Sequence, residues 1–353
     1  MSLSLNATDF GTLDQAIGAT SLIKQTVAQL TAETSSGYLS SDYAGLGTAA
    51  GTALDLSAQV AGNKTLQDNA DAAANIQTVA QTALGQIVSI ANNFASQALT
   101  LETTPASAGT VAASAQNALQ RVGELLDTKV GDFYVFAGQD SATPPVPNPA
   151  GLSQSAFAAA IANAVAGLTT NGAAATITAT LAIAAPGGTS PFSASLEASG
   201  AQSEVDLGNG ARVALAPLAN ANSNATSAGV GVSSTGSYTR DLLLGLGTLA
   251  SLGQVNTSDA NFLPLVQSTV TTLQGASTAA SADIGALGDR QDQVSSAKSD
   301  ISSFTVALQT QLSGAQGADL AQVAAQLSVA QTQLQASYQV IAGLSQLSLA
   351  KYI

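Results

Sequence analysis

Cysteine, histidine and tryptophan are all absent from this chain of 353 residues. Without thiolate and imidazole groups, the chain cannot build a Ser-His-Asp or Cys-His catalytic set, or a zinc site based on cysteine or histidine. The lack of cysteine also excludes disulfide bonds, although it does not fix the compartment of the protein. These absences remove the common routes to nucleophilic and zinc-dependent catalysis.

Charged residues are scarce, at 9% of the chain, compared with about 25% in typical soluble domains. The net charge is −13, and the nine basic residues are scattered along the sequence. No basic patch is available to neutralise phosphates, so the composition disfavours binding to nucleic acid or to an anionic membrane surface. A polar but weakly charged surface suits a protein that is later covered by copies of itself, because few charges must be desolvated.

Long hydrophobic runs are missing as well. No run of about 18 apolar residues occurs, so we predict no membrane-spanning helix. The N-terminal sequence MSLSLNATDFGTLDQ has neither a basic n-region nor an apolar h-region. We therefore expect a protein that is cytoplasmic or that leaves the cell by a route that does not read such a signal.

The N-terminal part has the apolar period of a helix. Its inward positions follow a 3-4-3-4 spacing, which is typical of a coiled-coil seam. The apolar residues of this seam include Leu13, Ile23, Val27 and Leu30, and threonines at positions 20 and 34 weaken it. We expect two further helices at about 53–101 and 108–130, the first ending before Pro105 because proline cannot continue a helix.

The C-terminal part has the cleanest heptad pattern of the sequence. A helix that begins near Ser258 or Asp259 and reaches about Leu312 is followed by a break at SGAQGADL. The seam of the last helix contains Leu320, Val323, Leu327, Ala330, Leu334, Ile341 and Leu344. A single seam buries little apolar area alone, so we expect the terminal helices to pair with each other and with neighbouring copies.

The middle of the chain is rich in Gly, Pro, Asn and Thr. The segments ATITATLAIAAP and SEVDLGNGARVALAP alternate enough to predict strands, the second with a hairpin turn at 208–210. The segment SQSAFAAAIANAVAGL predicts a short helix. The sequence therefore predicts a mainly α fold with long paired N- and C-terminal helices, built as coiled-coil arms plus a helical bundle, and with an inserted small α+β outer domain.

Aromatic residues are also few, yet three of them fall in the stretch GDFYVFAGQDSATPPVPNP, residues 131–149. Phe133, Tyr134 and Phe136 predict a short strand, and the last two share a face that can close the end of the helical bundle. Gly138 turns the chain, and the prolines that follow predict a stiff extended exit. We interpret this stretch as a domain boundary.

Two patterns could indicate chemistry. The sequences GLGTAA at Gly45–Ala50 and GLGTLA at Gly245–Ala250 both fit G-x-G-x-x-A, but neither follows a convincing strand, so we interpret both as loops that enter helices. The carboxylate pairs Asp289/Asp292 and Asp68/Asp71 have the spacing of a solvated helix face. We therefore predict no enzyme, no catalytic residue, no cofactor and no metal.

Four local patterns carry a resemblance to a known family. SSGYLSSDYAGLG contains Gly37 and Asp42, and IGALGDRQDQV contains Gly285 and Arg290, each at a position matching a family motif. GDFYVFAGQDSATPPV is similar to a YLFAGT…TPPF segment, and the ending LSLAKYI is similar to LSLxxYL. With these motifs the chain resembles the bacterial flagellin and hook-associated proteins, most of all those at the hook–filament junction.

The resemblance implies a structural subunit of the bacterial flagellum that joins hook to filament. It implies residues 1–45 and 315–353 as a terminal coiled-coil inner layer, 46–149 and 237–314 as a helical bundle with a β-hairpin, and 150–236 as a variable projecting domain. It also implies type III secretion to the extracellular flagellum without a cleaved signal peptide. The implied partners are copies of the chain, hook-associated protein type 1, flagellin, and an export chaperone on the C-terminal helix.

Two alternatives stay open. The chain could be flagellin itself, the main filament subunit, because flagellins belong to the same family. It could instead use residues 150–236 as a surface-binding or adhesive module, with the helices as its scaffold.

Overall fold

The computed structural model describes residues 7–208, 210–223 and 234–350, with side chains for 14–198, 200–208, 210–223 and 234–344. As predicted, the fold is mainly α, and its described strands form two small antiparallel sheets. The helices are α1 (Ala7–Ser36), α2 (Ala50–Thr103), α3 (Ala108–Leu126), α4 (Ala156–Ala166), α5 (Leu168–Asn171), α6 (Ala173–Ala184), α7 (Ala194–Ser199), α8 (Tyr238–Ser251), α9 (Phe262–Gln316) and α10 (Leu320–Ala350). The strands are β1 (Lys129–Val130), β2 (Phe133–Tyr134), β3 (Glu204–Asp206) and β4 (Arg212–Ala214).

The chain divides into two compact units. Residues 1–64 and 302–353 form one, here called the terminal unit, and residues 65–301 form the other, here called the central unit. The long helices α2 and α9 each contribute to both units. The three-part division predicted from the sequence stays a prediction.

In the terminal unit, α1 and α10 pack against each other as an antiparallel pair. Gly37 ends α1 with a positive φ of 74°, a conformation that glycine adopts at little cost. Two backbone hydrogen bonds then join the chain after α1 to the chain before α10. Leu39 N–H donates to the Gln316 carbonyl (2.8 Å), and Ala318 N–H donates to the Gly37 carbonyl (2.9 Å). The two helices are therefore held in a fixed register where the chain enters and leaves them.

The core of the central unit is formed by α2, α3, α8 and α9 together with residues from 150–223. Leu152, Phe157, Ile161 and Val165 are all buried in the same cluster as the helix residues. Ile161 lies so close to α8 that a Cβ on Gly247 would come within 2.9 Å of its Cδ1. The inserted segment thus shares a core with the helices that bracket it.

The strand predicted for ATITATLAIAAP is wrong. These residues form α6, which buries Ala173, Thr176, Thr180 and Ala184 at spacings of three and four residues. Alanine favours the helix, and the threonine hydroxyls are satisfied inside it, because Thr176 donates to the Gly172 carbonyl and Thr180 to the Ile177 carbonyl. The buried residues of this segment therefore follow the spacing of a helix. The two-residue alternation of its sequence does not form a strand.

The hairpin predicted for SEVDLGNGARVALAP is confirmed. Strands β3 and β4 pair antiparallel, with Val205 opposite Val213. Gly208 has a φ of 90° at the turn, and Asn209 lies outside the described residues. The hairpin packs its apolar face on Ala70 and Ala73 of α2 and on Val294 of α9. A two-stranded hairpin is marginal alone, so this helical surface stabilises it.

The aromatic and proline stretch folds back onto the central unit. Phe136 is 1% exposed, whereas Phe133 is exposed and Tyr134 stacks on Lys129, whose Nζ lies 4.2 Å from the ring centroid. Gly131 and Gly138 have positive φ angles of 61° and 67°, as their turning positions require. The segment after them continues in contact with the core.

The proline segment contacts the core of the central unit. Pro145 and Val146 are buried, and the Pro145 carbonyl accepts a hydrogen bond from Ser193 N–H (2.9 Å). Val146 N–H donates to Asp127 Oδ1 (2.8 Å) at the end of α3. Both sides of the stretch belong to the central unit.

Candidate assembly interface

The inner face of α1 is the predicted N-terminal seam. Leu30 is buried, and Ile23 and Val27 are half-buried at the spacing that a coiled-coil pair requires. The side chain of Leu13 lies outside the described residues. Thr20, which weakens the seam in the sequence, is buried because its hydroxyl donates to the Ala16 carbonyl (2.7 Å) of its own helix.

The seam of α10 covers that of α1. Val323 and Ala330 are buried and pack with Leu30, and Leu327 lies beside them. The next seam residues, Leu334, Ile341 and Leu344, are half-buried. Leu320 is 49% exposed and lies outside the contact, because Ala318 takes the place next to the cluster where the chain turns into α10.

One inward residue of α1 is missed by the apolar pattern. Thr34 is exposed, while its neighbour Glu33 is only 8% exposed. The Glu33 carboxylate accepts a hydrogen bond from Gln29 Nε2 (2.8 Å), one helical turn earlier. The i,i+4 pairing of glutamine and glutamate was the only signal in the sequence for this arrangement.

The motif residues Gly37 and Asp42 both lie in the terminal unit. Asp42 Oδ1 accepts a hydrogen bond from Gly45 N–H (2.8 Å), and a Cβ on Gly45 would come within 2.1 Å of Ser40 Oγ. The aspartate therefore closes a tight turn before α2. The other two motif residues, Gly285 and Arg290, lie on α9 in the central unit, so the structure places the four in two different units.

Exposed large apolar side chains are concentrated in the terminal unit. They are Ile17, Leu22, Tyr38, Leu39, Tyr43, Leu54, Phe304, Val306, Leu320, Val329, Tyr338 and Val340, against Leu99, Phe133 and Leu263 in the described central unit. The helix α10 has no charged residue between Leu320 and Ala350. Where such side chains lie together, they mark surfaces that bind other proteins.

Between α1 and α10 lies a groove of about 350 Å³. Its lining is formed by Ala16, Ala19, Ile23, Gln333, Ala336, Ser337 and Val340. None of these side chains is charged, and the alanines leave space between the two helices. The groove can therefore accept an apolar side chain from a partner without burying a charge.

The buried charges of the central unit are paired with protein groups. Arg240 is buried, and it donates to the carboxylate of Glu197, to the Asn220 carbonyl and to the Ala184 carbonyl. The pKa of Tyr238 is raised well above its usual value, first by complete burial and then by the Asp283 carboxylate. These groups fix the inserted segment against α8, which is a structural role.

Two further carboxyl groups have shifted pKa values. Burial raises the pKa of Asp127 to about 6, although the hydrogen bond from Val146 and the charge of Lys129 both oppose the shift. The pKa of Asp259 is lowered by hydrogen bonds, first from Thr169 and then from the Asn261 backbone. Asp259 lies three residues before the start of α9, and its Oδ1 accepts from Asn261 N–H (2.8 Å) in the turn that leads into the helix.

The other patterns considered for chemistry have structural explanations. Gly245 lies inside α8, not in a loop as we expected, and a Cβ there would come within 2.6 Å of Leu273 Cδ2. Asp71 pairs with Lys298 on α9. Over the described ranges, no group of three or more His, Cys, Asp or Glu side chains could hold a metal ion. The same part of the chain has no helix with the length and apolarity that a membrane span requires.

The C-terminal part of the chain matches a known family. Residues 270–353, which include most of α9 and all of α10, match the bacterial flagellin C-terminal helical region. This region is flagellin-like. No curated protein matches the chain.

The match supports a structural subunit of the flagellin and flagellar axial protein family. Proteins of that family polymerise, belong to the extracellular flagellum and serve motility. The matched residues contain α10 and its seam, so the family similarity falls on the interface described above. The similarity is to a structural family and not to a family of enzymes.

Proposed function

We propose that the protein is the hook–filament junction subunit of a bacterial flagellum, with no catalytic role. The flagellin-like C-terminal region supports the flagellar class. The segment GDFYVFAGQDSATPPV and the ending LSLAKYI, both similar to junction-protein sequences, favour the junction over the filament. The observation that carries an assembly function is the concentration of exposed apolar side chains on the terminal unit, together with the uncharged helix α10.

In this mechanism, α1 and α10 form one segment of an inner layer. Each copy buries a seam between its own two helices and still exposes apolar side chains on its outer surface. Neighbouring copies cover these side chains, and the gain in apolar burial drives the assembly. The central unit contributes rigid helices that carry load along the axis.

The proposed partners follow from the junction position. They are further copies of this chain, hook-associated protein type 1 on one side and flagellin on the other. Before assembly, an export chaperone binds the C-terminal helix α10 and covers its exposed apolar residues. The protein is exported by type III secretion without a cleaved signal peptide.

The main alternative is flagellin itself, since the matched C-terminal region is that of flagellins. A deletion strain separates the two functions. Loss of a junction protein leaves a strain that secretes abundant flagellin and cannot retain filaments. Loss of flagellin leaves complete hooks with no secreted filament subunit.

Locating the protein on isolated flagella is the most direct test. Immunogold labelling should place it in a narrow band between hook and filament. Label along the whole filament would support flagellin instead, and absence from flagella of a strain that expresses the protein would reject both functions.

A further inference from the structure

The terminal unit has a second cavity, whose lining differs from that of the groove between α1 and α10. It lies where the chain passes from α1 to α2, beside the end of α9, and its volume is about 270 Å³. Its lining consists of Tyr38, Ser40, Ser41, Asp42, Tyr43, Leu46 and Gln316. Two aromatic rings and one carboxylate therefore meet at one cavity, and none of the described lysines and arginines lines it. We call it the tyrosine cavity.

The two tyrosines of this cavity are held by contacts of their own. Tyr38 pairs with Gly317 in the backbone bridge that joins the chain after α1 to the chain before α10. Tyr43 donates a hydrogen bond from its hydroxyl to Ser57 Oγ on α2 (3.3 Å). A site whose walls are already in place loses little conformational freedom when a ligand binds, so the free energy of contact is not spent on ordering it.

The carboxylate of the cavity has hydrogen-bond donors but no cation. Asp42 Oδ1 accepts from Gly45 N–H (2.8 Å) and from the Ser40 hydroxyl (3.2 Å), which fixes the side chain in its turn. Among the described side chains, no lysine or arginine forms an ion pair with Asp42. The tyrosine cavity therefore has a negative charge that the described part of the chain does not neutralise.

Other tyrosines of this chain already bind cations through their rings. Tyr134 and Tyr338 each have a lysine Nζ over the ring, at 4.2 Å and 5.5 Å from the centroid. A cation within about 6 Å of a ring centroid is attracted by the negative face of the ring. No described cation lies over Tyr38 or Tyr43, whose side chains are 49% and 43% exposed. Their ring faces are open to a cation from outside the chain.

We propose that the tyrosine cavity binds an organic cation, an alkylammonium or guanidinium group, against the rings of Tyr38 and Tyr43 and beside the Asp42 carboxylate. The rings and the carboxylate both attract positive charge, whereas an anion is repelled and a neutral group leaves the carboxylate unpaired. The cation belongs to a free small molecule or to a lysine or arginine side chain of another protein. The inference does not depend on the proposed flagellar function.

Choline tests the requirement for charge, because 3,3-dimethylbutanol has nearly the same shape and no positive charge. Binding of both compounds to the full chain is measured by ligand-observed nuclear magnetic resonance. We expect choline to bind at least about fivefold more tightly than the neutral analogue, as a cation–π contact requires. Added salt should weaken the binding of choline, because it screens the charge of the carboxylate.

Substitutions in the cavity place the binding at these side chains. Tyr38→Leu and Tyr43→Leu should each weaken choline binding about threefold or more, whereas Tyr43→Phe keeps the ring and should retain it. Asp42→Asn keeps an oxygen for Gly45 N–H, removes the charge and should weaken binding about fivefold. Asp14→Asn removes an exposed carboxylate of α1 outside the cavity and is the matched control, which should bind choline as the unmodified chain does.

The source of the cation is tested with pentaglycine peptides that have lysine, arginine or glutamine at the centre. Tighter binding of a basic peptide than of choline would assign the cavity to a protein side chain, and tighter binding of choline would assign it to a free ammonium compound. Equal binding of choline and 3,3-dimethylbutanol, or binding that both leucine variants retain, would overturn the proposal. Failure of choline and of both basic peptides to bind would also overturn it, whether or not the chain assembles.

Discussion

At the scale of single residues, Asp127 is an ionisable group whose environment opposes its charge. Burial raises its pKa to about 6, and it lies at the C-terminal end of α3, where the helix dipole is unfavourable for an anion. A carboxyl group with a raised folded-state pKa stabilises the fold below its unfolded pKa of 3.8. That stabilisation is lost as the pH rises through about 6.

Asp127→Asn should therefore stabilise the protein at neutral pH. Asparagine keeps the oxygen that accepts from Val146 N–H and removes the buried charge. A shift of about two pKa units corresponds to about 3 kcal/mol, and partial exposure reduces the expected gain at pH 7.5 to about 1 kcal/mol. Urea unfolding should show this gain at pH 7.5 and a much smaller one at pH 4.

The matched control is Asp132→Asn, which removes an exposed carboxylate from the neighbouring turn. It should change the free energy of unfolding by less than about 0.5 kcal/mol at either pH. An Asp127→Asn chain that is destabilised equally at both pH values would contradict this prediction. It would show that the folded protein favours the ionised carboxylate of Asp127 over its protonated form.

The seam residue Leu334 gives a second residue-scale prediction. Leu334 is half-buried on α10, whereas Ser328 is exposed on the same helix. Leu334→Asp places a carboxylate in an apolar contact and should destabilise the α1–α10 pair by about 2 kcal/mol. Circular dichroism should show that helix is lost at a lower temperature than in the unmodified chain, and sedimentation should show loss of polymer.

Ser328→Asp is the matched control, because it adds the same charge outside the seam. It should leave the thermal transition of the helix pair nearly unchanged. If both variants lose helix to the same extent, charge on α10 rather than packing in the seam controls the pair.

At the scale of elements, the terminal helices were predictable because their heptad period is visible in the local sequence alone. The structure places Val323, Leu327 and Ala330 in one cluster with Leu30. The helix α6 was not predictable in the same way. Its alternating Thr and Ile residues fit a strand, and only the neighbouring helices α4 and α8 show which of its faces is buried.

The exposed position of Leu320 has a similar cause. Its spacing fits the heptad, but the chain has just turned at Gly317, and Ala318 already fills the place next to Val323. A periodic pattern predicts which face a residue occupies, and it does not predict where the partner helix ends. The role of the seam residues in assembly stays a prediction.

Removal of residues 318–353 tests the role of α10 as an element. Among the described side chains, the core of the central unit contains none from this segment, so its unfolding transition should be retained. Assembly should be lost, because the truncated chain lacks the exposed apolar side chains of α10 and leaves the seam of α1 uncovered. Near-ultraviolet circular dichroism and sedimentation measure the two properties separately.

A truncated chain that loses all cooperative unfolding would show that α10 is needed for the central unit. A truncated chain that still forms polymers of normal length would remove α10 from the interface. Removal of residues 210–217, which takes away β4 of the central unit, is a useful comparison, because it should disturb the central unit without removing α10.

At the scale of the whole molecule, the sequence indicated a chain made to be covered by its neighbours. Few charges, an uncharged last helix and terminal seams all pointed to assembly, and each is visible in composition or period. The sharing of a core between residues 150–223 and the bracketing helices was not visible in this way. It depends on long-range contacts such as that of Ile161 with α8, which no local pattern encodes.

The shared core makes Ile161 a test of whether the inserted segment behaves as an independent domain. Ile161 is fully buried on α4, and its Cδ1 lies close to Gly247 on α8. Ile161→Ala leaves a cavity and should lower the free energy of unfolding by about 2–4 kcal/mol. Because the residue belongs to the common core, the loss should appear in one transition that includes α3 and α8, measured by hydrogen exchange along the chain.

Val329→Ala, which removes methyl groups from an exposed position of α10, is the matched control and should leave that transition unchanged. Exchange that increases only within residues 150–223 after Ile161→Ala would show a separately folding domain and support the projecting arrangement predicted from the sequence. Increased exchange through α3 and α8 would show that the segment unfolds together with the helices of the central unit. Deletion of residues 152–236 should then unfold the central unit rather than shorten a projection, since the helices would lose Phe157 and Val165 from their own core.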